Sequence, residues 1–101
     1  MRKKLSSIEI SENLKSLDLN WIIEGNKLIN SYEFKSFEFA IEFINLVAKK
    51  CDELDHHPTW ENTYNKIRIE LNTHDINGIS SLDFDLANYM NKTFKKIKDG
   101  K

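Results

Sequence analysis

The segment from Lys66 to Leu71 alternates strictly between charged and apolar side chains. Ile67, Ile69 and Leu71 fall on one side of an extended chain, and the charged residues between them fall on the other. This period of two is typical of a β-strand with one face in a hydrophobic core and the other in solvent. The chain must therefore build a sheet that has one buried and one exposed face.

A second extended region lies earlier in the chain. The segments 20–24 and 27–35 read as strands, and the Gly25-Asn26 pair between them is typical of a tight turn. Apolar side chains recur at every other position of the second segment, at Leu28, Tyr32 and Phe34, with Asn30 among them. The pattern predicts a β-hairpin, preceded by a short helix from Ser11 to Leu17.

A long helix is predicted from Ser36, which can cap its first turn, to about Leu54. Its apolar stripe is formed by Phe37, Ala40, Ile41, Ile44, Ala48 and Cys51. Four further apolar residues widen the stripe well beyond the usual band: Phe39, Phe43, Leu46 and Val47. We expect the excess surface to serve self-association; the alternative is burial by the N-terminal segment.

The C-terminal region predicts a last helix. Asn77-Gly78 marks a turn, Ser80 begins the helix, and the apolar spacing carries it to roughly Lys96. The expected buried positions are Leu82, Leu86, Tyr89, Met90, Phe94 and Ile97. Because Ser80 and Asp83 have the spacing of a capping box, Asp83 is expected to initiate the helix, to orient a nearby imidazole, or both.

The totals of the sequence exclude several classes of protein. Its 101 residues, 40% hydrophobic and 31% charged, suffice for a single domain, taken as 1–101. The 15 basic and 16 acidic residues give a net charge of -1, which argues against direct binding of nucleic acid. No run is long and apolar enough to span a membrane, and the single Cys51 cannot form an internal disulfide. A cytoplasmic setting is therefore expected.

A second hairpin is predicted between His57 and Thr73. If Asn65-Lys66 is its turn, both aromatic residues of the first strand lie on the apolar face. The cross-strand partners are then Tyr64 with Ile67, Asn62 with Ile69, and Trp60 with Leu71. Continued to the open end, this register sets His57 opposite His74. Pro58 makes a regular strand doubtful there, because it lacks a backbone N–H.

All three histidines lie at that open end, at His56, His57 and His74. Imidazole changes charge near neutral pH, so the cluster indicates proton-transfer chemistry. Two other interpretations stay open. One is a zinc site, which is disfavoured because adjacent strand residues point to opposite faces of the sheet. The other is that the histidines are partly exposed residues without a catalytic function. Nucleophilic catalysis is disfavoured because Cys51 lies on an apolar helix stripe.

The spacing of these residues resembles that of the pterin-4a-carbinolamine dehydratase family. The family pattern is a charged residue, His-His-Pro, an aromatic residue, a histidine and a later aspartate. Here it is met in order by Asp52, His56-His57-Pro58, Tyr64, His74 and Asp83. Trp21 and much of the long helix are also similar, so the likeness runs from about Asn20 to Phe94. One departure is Asn77, where many relatives carry glycine; asparagine tolerates left-handed geometry.

The resemblance implies an α+β fold, with a four-stranded antiparallel sheet covered by helices on one face. It also implies dehydration of 4a-hydroxytetrahydropterin to quinonoid dihydropterin, which recycles the pterin after an aromatic amino-acid hydroxylase has used it. This reaction needs an acid and a base, but no metal and no organic cofactor, because the pterin ring itself delocalises the developing cation.

Residue roles follow by position from the same resemblance. His56 and His74 are the implied acid–base residues, and His57 chiefly binds substrate, so all three form the catalytic set. The substrate pocket is expected to be lined by these histidines with Pro58, Thr73, Asp75 and Ile76. The expected supporting residues are Asp83, Asp52 and Trp60.

The resemblance further implies a homodimer or homotetramer. Some relatives act as dimerisation cofactors of a homeodomain transcription factor, and related domains assist protein assembly. A protein-binding scaffold that works through the apolar helix surface is therefore the alternative to an enzyme. A pure scaffold has no need of three histidines, which favours the enzyme.

Overall fold

Residues 3–100 form three α-helices and one four-stranded antiparallel sheet, which confirms the α+β prediction. The computed structural model describes residues 3–100, so positions 1, 2 and 101 of the predicted domain lie outside the described residues. The elements in chain order are α1 (Ser7–Ser16), β1 (Ile22–Glu24), β2 (Lys27–Glu33), α2 (Phe37–Leu54), β3 (Thr59–Thr63), β4 (Lys66–Leu71), a 3₁₀ turn (His74–Ile76) and α3 (Ser81–Gly100). The strand order is β1-β2-β4-β3, so the two hairpins join through β2 and β4.

One face of the sheet carries the hydrophobic core. The apolar residues of β4 are fully buried, whereas Lys66 and Arg68 between them are exposed, as the alternation predicts. Helices α2 and α3 supply the other side of the same core. Its helical members are Ala40, Phe43, Val47, Cys51, Phe84, Leu86, Ala87, Met90 and Ile97. Within residues 3–100, none of the helices has the length and apolarity needed to span a bilayer.

The side of α2 that enters the core shares only Ala40 and Cys51 with the predicted stripe. Phe43 and Val47, expected only to widen the stripe, lie at its centre and are fully buried. Phe37 is 49% exposed, and the partly buried Ile41, Ile44 and Ala48 follow it at helical spacing. A helix that is apolar on two adjacent sides can be rotated without changing its pattern, so its packing against α3 and β4 decides which side is inside.

Several boundaries also differ from the predictions. Helix α1 begins at Ser7 rather than Ser11, because Ser6 and Glu9 form a capping box in which each side chain accepts the other residue's backbone N–H. Strand β1 begins only at Ile22, since Leu19 and Asn20 have φ angles of 67° and 60° that interrupt an extended chain. Strand β2 ends at Glu33 and α3 continues to Gly100.

The turn of the second hairpin is Tyr64-Asn65, not Asn65-Lys66. Thr63 pairs with Lys66, Asn62 with Ile67, and Trp60 with Ile69. The predicted pairing is therefore wrong by two residues, which leaves Trp60 on the core side of the strand. Tyr64 instead lies in the turn at a φ of 52° and is 66% exposed. The Asn62 amide holds the turn here by donating to the carbonyl oxygens of Tyr64 and Lys66, at 3.0 Å each.

The two sides of α2 can be distinguished by a matched pair of variants. Phe43→Ala should lower the free energy of unfolding by about 3–5 kcal/mol, because it opens a cavity in the core. Phe37→Ala should lower it by less than about 1 kcal/mol, since surface truncations have small effects. Urea denaturation at a concentration where the chain is monomeric measures both. Equal losses would contradict the orientation of α2 described above.

Candidate active site

The end of helix α2 fixes the directions of the two adjacent histidines. Asp55 adopts a left-handed conformation (φ 50°, ψ 46°), and the His56 backbone N–H donates to the carbonyl oxygen of Cys51 at 3.0 Å. This hydrogen-bonded ending satisfies carbonyl groups that the helix leaves unpaired. The chain leaves the helix with His56 buried, at 4% exposure, and with the His57 side chain 58% exposed.

His56 is paired with the fully buried carboxylate of Asp83. Its Nε2 atom lies 2.5 Å from Asp83 Oδ1. The other carboxylate oxygen, Oδ2, accepts the Ser80 backbone N–H and the Thr73 hydroxyl, both at 2.9 Å. Asp83 thus has both of the roles expected for it, since it contacts the His56 imidazole and caps the start of α3.

His57 has a different partner and a different environment. Its Nε2 atom lies 3.0 Å from Asp52 Oδ1, and the Asp52 side chain is 82% exposed. Water screens an exposed pair of this kind, so it contributes little to stability. The two neighbouring imidazoles therefore contact two different carboxylates: His56 contacts the buried Asp83, and His57 contacts the solvent-exposed Asp52.

His74 projects from the 3₁₀ turn that follows β4. Thr73 and Gly78 close this loop, since the Thr73 N–H donates to the Gly78 carbonyl oxygen at 2.7 Å. Asn77 ends the turn in a left-handed conformation at a φ of 49°, which bears out the expectation that asparagine tolerates the geometry of glycine here. The side chain of His74 is exposed. The prediction that His74 lies opposite His57 is wrong, because the strand pairing of the second hairpin stops at Thr59 and Glu70.

The three imidazoles nevertheless line one cavity. Its volume is about 310 Å³, and its lining residues are Asp55, His56, His57, Asn72, His74 and Asp75. This volume lies at the lower end of the range for small-molecule sites. Such a lining offers ring nitrogens that can donate or accept protons, beside carboxylate and amide groups that can hydrogen-bond a polar ring.

Not every predicted pocket residue faces this cavity. Pro58 and Trp60 line a neighbouring hollow of about 160 Å³, together with His57 and Asp52. Ile76 is partly buried and is not among the lining residues. Thr73 is wholly buried behind the cavity, where its hydroxyl contacts Asp83.

Two lining residues, Asp55 and Asn72, were not predicted to bind substrate. Both are polar and lie within two residues of a predicted histidine, which is the signal that could have identified them. The turn at Asp55 and the end of β4 at Leu71 bring these positions to the cavity.

Metal binding and nucleophilic catalysis by cysteine have less support in the described residues. Between residues 3 and 100, no group of three His, Cys, Asp or Glu side chains is arranged to hold a metal ion. Burial raises the pKa of the Cys51 thiol to about 11, with a smaller contribution from the Asp52 charge, so it is a poor nucleophile at neutral pH. A larger cavity of about 480 Å³ lies between Phe34, Phe39 and Phe94, but no histidine lines it.

The two carboxylates should differ sharply in their effect on stability. Asp83→Ala should lower the free energy of unfolding by about 3–5 kcal/mol, because it leaves buried donors without an acceptor. The matched Asp52→Ala variant should change it by less than about 1 kcal/mol. Urea denaturation of both variants tests this, and a comparable loss for Asp52→Ala would show that burial does not separate the two pairs.

Comparisons with known proteins agree with this fold. A family model described as pterin 4 alpha carbinolamine dehydratase matches residues 3–93. A protein from Prochlorococcus marinus (strain MIT 9312) is 42% identical over 86 residues, covering 82% of this chain and 90% of its own. One from Nostoc sp. (strain PCC 7120) is 39% identical over 87 residues, covering 86% and 92%. Both relatives carry the provisional name pterin-4-alpha-carbinolamine dehydratase.

Two solved structures are similar in fold. A Brucella melitensis protein described as a transcriptional coactivator/pterin dehydratase superposes with a TM-score of 0.86 at 35% identity, covering 91% of this chain and 99% of that one. A pterin dehydratase-like protein, described as a RuBisCO assembly factor of the alpha-carboxysome, gives a TM-score of 0.61 at 15% identity, covering 73% and 86%, and shares the fold alone. With a family model that spans residues 3–93 and relatives that align along most of its length, the chain belongs to the pterin-4a-carbinolamine dehydratase family.

Proposed function

We propose that this protein dehydrates 4a-hydroxytetrahydropterin to quinonoid dihydropterin by histidine general acid/base catalysis. The observation that supports the proposal most directly is the cavity of about 310 Å³ that His56, His57 and His74 line together. A cavity with three imidazoles suits a reaction made of two proton transfers, and membership of the family supplies the pterin substrate class.

The chemistry explains why imidazoles suit this reaction. Hydroxide is a poor leaving group, so the oxygen on C4a must gain a proton as the C4a–O bond breaks. The bonding electrons leave with that oxygen as water, N5 loses its proton to a base, and a double bond forms between C4a and N5. Imidazole can serve as either acid or base near neutral pH, and each positioned transfer typically contributes about 10²–10⁴-fold in rate.

The environments of the histidines suggest a division of roles. His56 is held rigidly by Asp83 and His74 stands on a closed turn, so these two are assigned the proton transfers. His57 is exposed beside Asp52 and is assigned to substrate binding. Asp75 and Asn72 line the same cavity and supply polar groups for the edge of the pterin.

The proposed activity places the protein in tetrahydropterin recycling. The substrate is the product that an aromatic amino-acid hydroxylase releases when it has used its pterin, so a hydroxylase reaction is the expected source. We propose a cytoplasmic location for this step, with no metal and no organic cofactor bound by the enzyme.

Single histidine substitutions test the division of roles. His56→Gln and His74→Gln should each lower kcat by about 10²-fold or more, because each removes a positioned proton-transfer group. His57→Gln should mainly raise KM. The decay of the carbinolamine absorbance, generated by a hydroxylase reaction, measures all three. Lys95→Gln, far along α3 and ion-paired with Asp18, is the control and should turn over normally. Undiminished turnover in the His56/His74 double variant would remove the mechanism.

We also propose that a second copy of the chain covers the outer side of α2. Phe37, Ile41, Ile44 and Ala48 form an apolar strip along this helix that its own core leaves partly exposed. Helices with apolar residues outside their core-facing stripe commonly pack against a partner. The assembly is then a dimer or tetramer that buries this strip.

Charge substitution in the strip tests the assembly. Ile41→Glu should shift the protein towards the monomer in sedimentation equilibrium, because it places an unpaired charge in an apolar interface. Lys49→Glu changes charge on the exposed side of the same helix and should leave the assembly unchanged. A monomeric parent protein at all concentrations would contradict the proposal.

The alternative is a dimerisation or assembly cofactor that uses the same strip. The similar Brucella melitensis structure is described as a coactivator as well as a pterin dehydratase, which keeps this reading beside the enzymatic one. A measurement of carbinolamine turnover distinguishes the two functions, because an enzyme requires the histidines, whereas a scaffold requires only the apolar strip.

A further inference from the structure

Two buried hydroxyl groups stand behind the histidine cavity without a part in the proposed reaction. Thr73 was expected to touch substrate, yet it is fully buried, and Ser80 is 1% exposed. Their oxygens lie 2.7 Å apart, and Thr73 also contacts the carboxylate that holds His56. A buried polar cluster is stable only when each group finds its partner, so the proton of each hydroxyl has a definite direction.

The direction of each proton follows from counting donors. Thr73 has one hydroxyl proton, and it donates that proton to Asp83 Oδ2 at 2.9 Å. The contact between Thr73 and Ser80 must then use the Ser80 proton. The Ser80 hydroxyl proton is available for this contact, because the other hydrogen bond of Ser80 Oγ, from the Leu82 backbone N–H at 3.3 Å, uses a lone pair of the oxygen. The hydroxyls therefore point in one direction, from Ser80 through Thr73 to Asp83.

This direction constrains the imidazole at the far end. Asp83 Oδ2 already receives the Thr73 hydroxyl and the Ser80 backbone N–H, as the oxygen of an ionised carboxylate does. With Asp83 ionised, its Oδ1 atom is also an acceptor, and the 2.5 Å contact then places a proton on His56 Nε2. In the neutral ring the lone pair is left on Nδ1, and His56 is one of the residues that line the cavity.

We propose that Thr73 and Ser80 are positioning residues, whose aligned hydroxyls act through Asp83 to hold His56 in the tautomer protonated on Nε2. His56 then meets substrate through Nδ1 as a base and takes the N5 proton, while His74 protonates the departing hydroxyl. The tautomer rests on these hydrogen bonds and on an ionised Asp83, and only the assignment of the base rests on the proposed function.

Thr73 is suited to this role because it also belongs to the loop that carries His74. Its backbone N–H and carbonyl oxygen both bond to Gly78, and its carbonyl oxygen also accepts the Ile76 N–H at 3.3 Å. The same residue thus fixes the orientation of His56 through its side chain and the position of His74 through its backbone. A substitution that removes only the Thr73 hydroxyl therefore tests its effect on His56 while leaving the backbone bonds that position His74 in place.

The tautomer can be read directly from the ¹⁵N chemical shifts of the His56 ring, correlated with its carbon-bound protons. In the neutral form of the parent protein we expect Nε2 to be protonated and Nδ1 to be bare. Thr73→Val keeps the shape but removes one of the two donors that hold Asp83 Oδ2, so the carboxylate can turn away from Nε2 and the ring should show a mixture of tautomers. Its kcat should fall by about tenfold or more, as part of the roughly 10²–10⁴-fold that positioned proton transfer supplies, with KM little changed.

Two further variants control this experiment. Thr73→Ser restores a hydroxyl and should recover both the tautomer and kcat. Thr93→Val makes the same substitution at another buried threonine, whose hydroxyl donates within α3 to the Tyr89 carbonyl oxygen at 2.8 Å, and should change neither. If Thr73→Val does not fold, Ser80→Ala provides the test, because it removes the donor to Thr73 and keeps the backbone N–H to Asp83.

Each outcome bears on a separate statement. A parent protein with the proton on Nδ1 of His56, or a Thr73→Val variant with unchanged tautomer and kcat, would overturn the positioning role. The expected tautomer in a protein that leaves the carbinolamine untouched would support the hydroxyl chain and refute the proposed dehydration.

Discussion

The carboxylate of Asp83 joins three parts of the chain at a point that water does not reach. It contacts His56 just beyond the end of α2, Thr73 in the loop after β4, and Ser80 immediately before α3. Burying a charge is costly unless hydrogen bonds replace its hydration, and here no single segment supplies enough donors. Segments distant in sequence must therefore assemble together around this group. The end of the fold that carries the histidines depends on that requirement, because His56 and His74 reach their places only when it is met.

The same requirement separates two residues that are neighbours in the chain. His56 turns inward to the buried carboxylate, and His57 turns outward to Asp52 in solvent. An acid–base group gains from a rigid orientation, whereas a group that captures substrate must be accessible. The His-His pair provides both because the left-handed Asp55 directs the chain sharply out of the helix. The backbone geometry of Asp55 thus sets the different environments, and with them the different proposed roles, of the two residues that follow.

The sequence predicted the elements and the grouping of the three histidines more readily than the contacts that hold them. The alternation in β4 predicted which face is buried, and even the mistaken hairpin register kept Trp60 on the correct side, because register errors of two residues preserve the face. The inward side of α2 could not be predicted, since two of its sides are apolar and only packing against α3 chooses between them. Asp83 was identified by its spacing from Ser80, but the role of Thr73 depends on tertiary contacts that no local pattern encodes.

The proposed interface and the proposed site meet at one place on α2. The apolar strip ends at Ala48, which lines the hollow of about 160 Å³ beside His57, Asp52 and Trp60. A second copy that covers the strip would also reduce the exposure of the His57–Asp52 pair. Assembly would then change the surroundings of His57 and leave those of the buried His56 unchanged. Of the two proposed roles, substrate binding by His57 would therefore depend on the oligomeric state, whereas proton transfer by His56 would not.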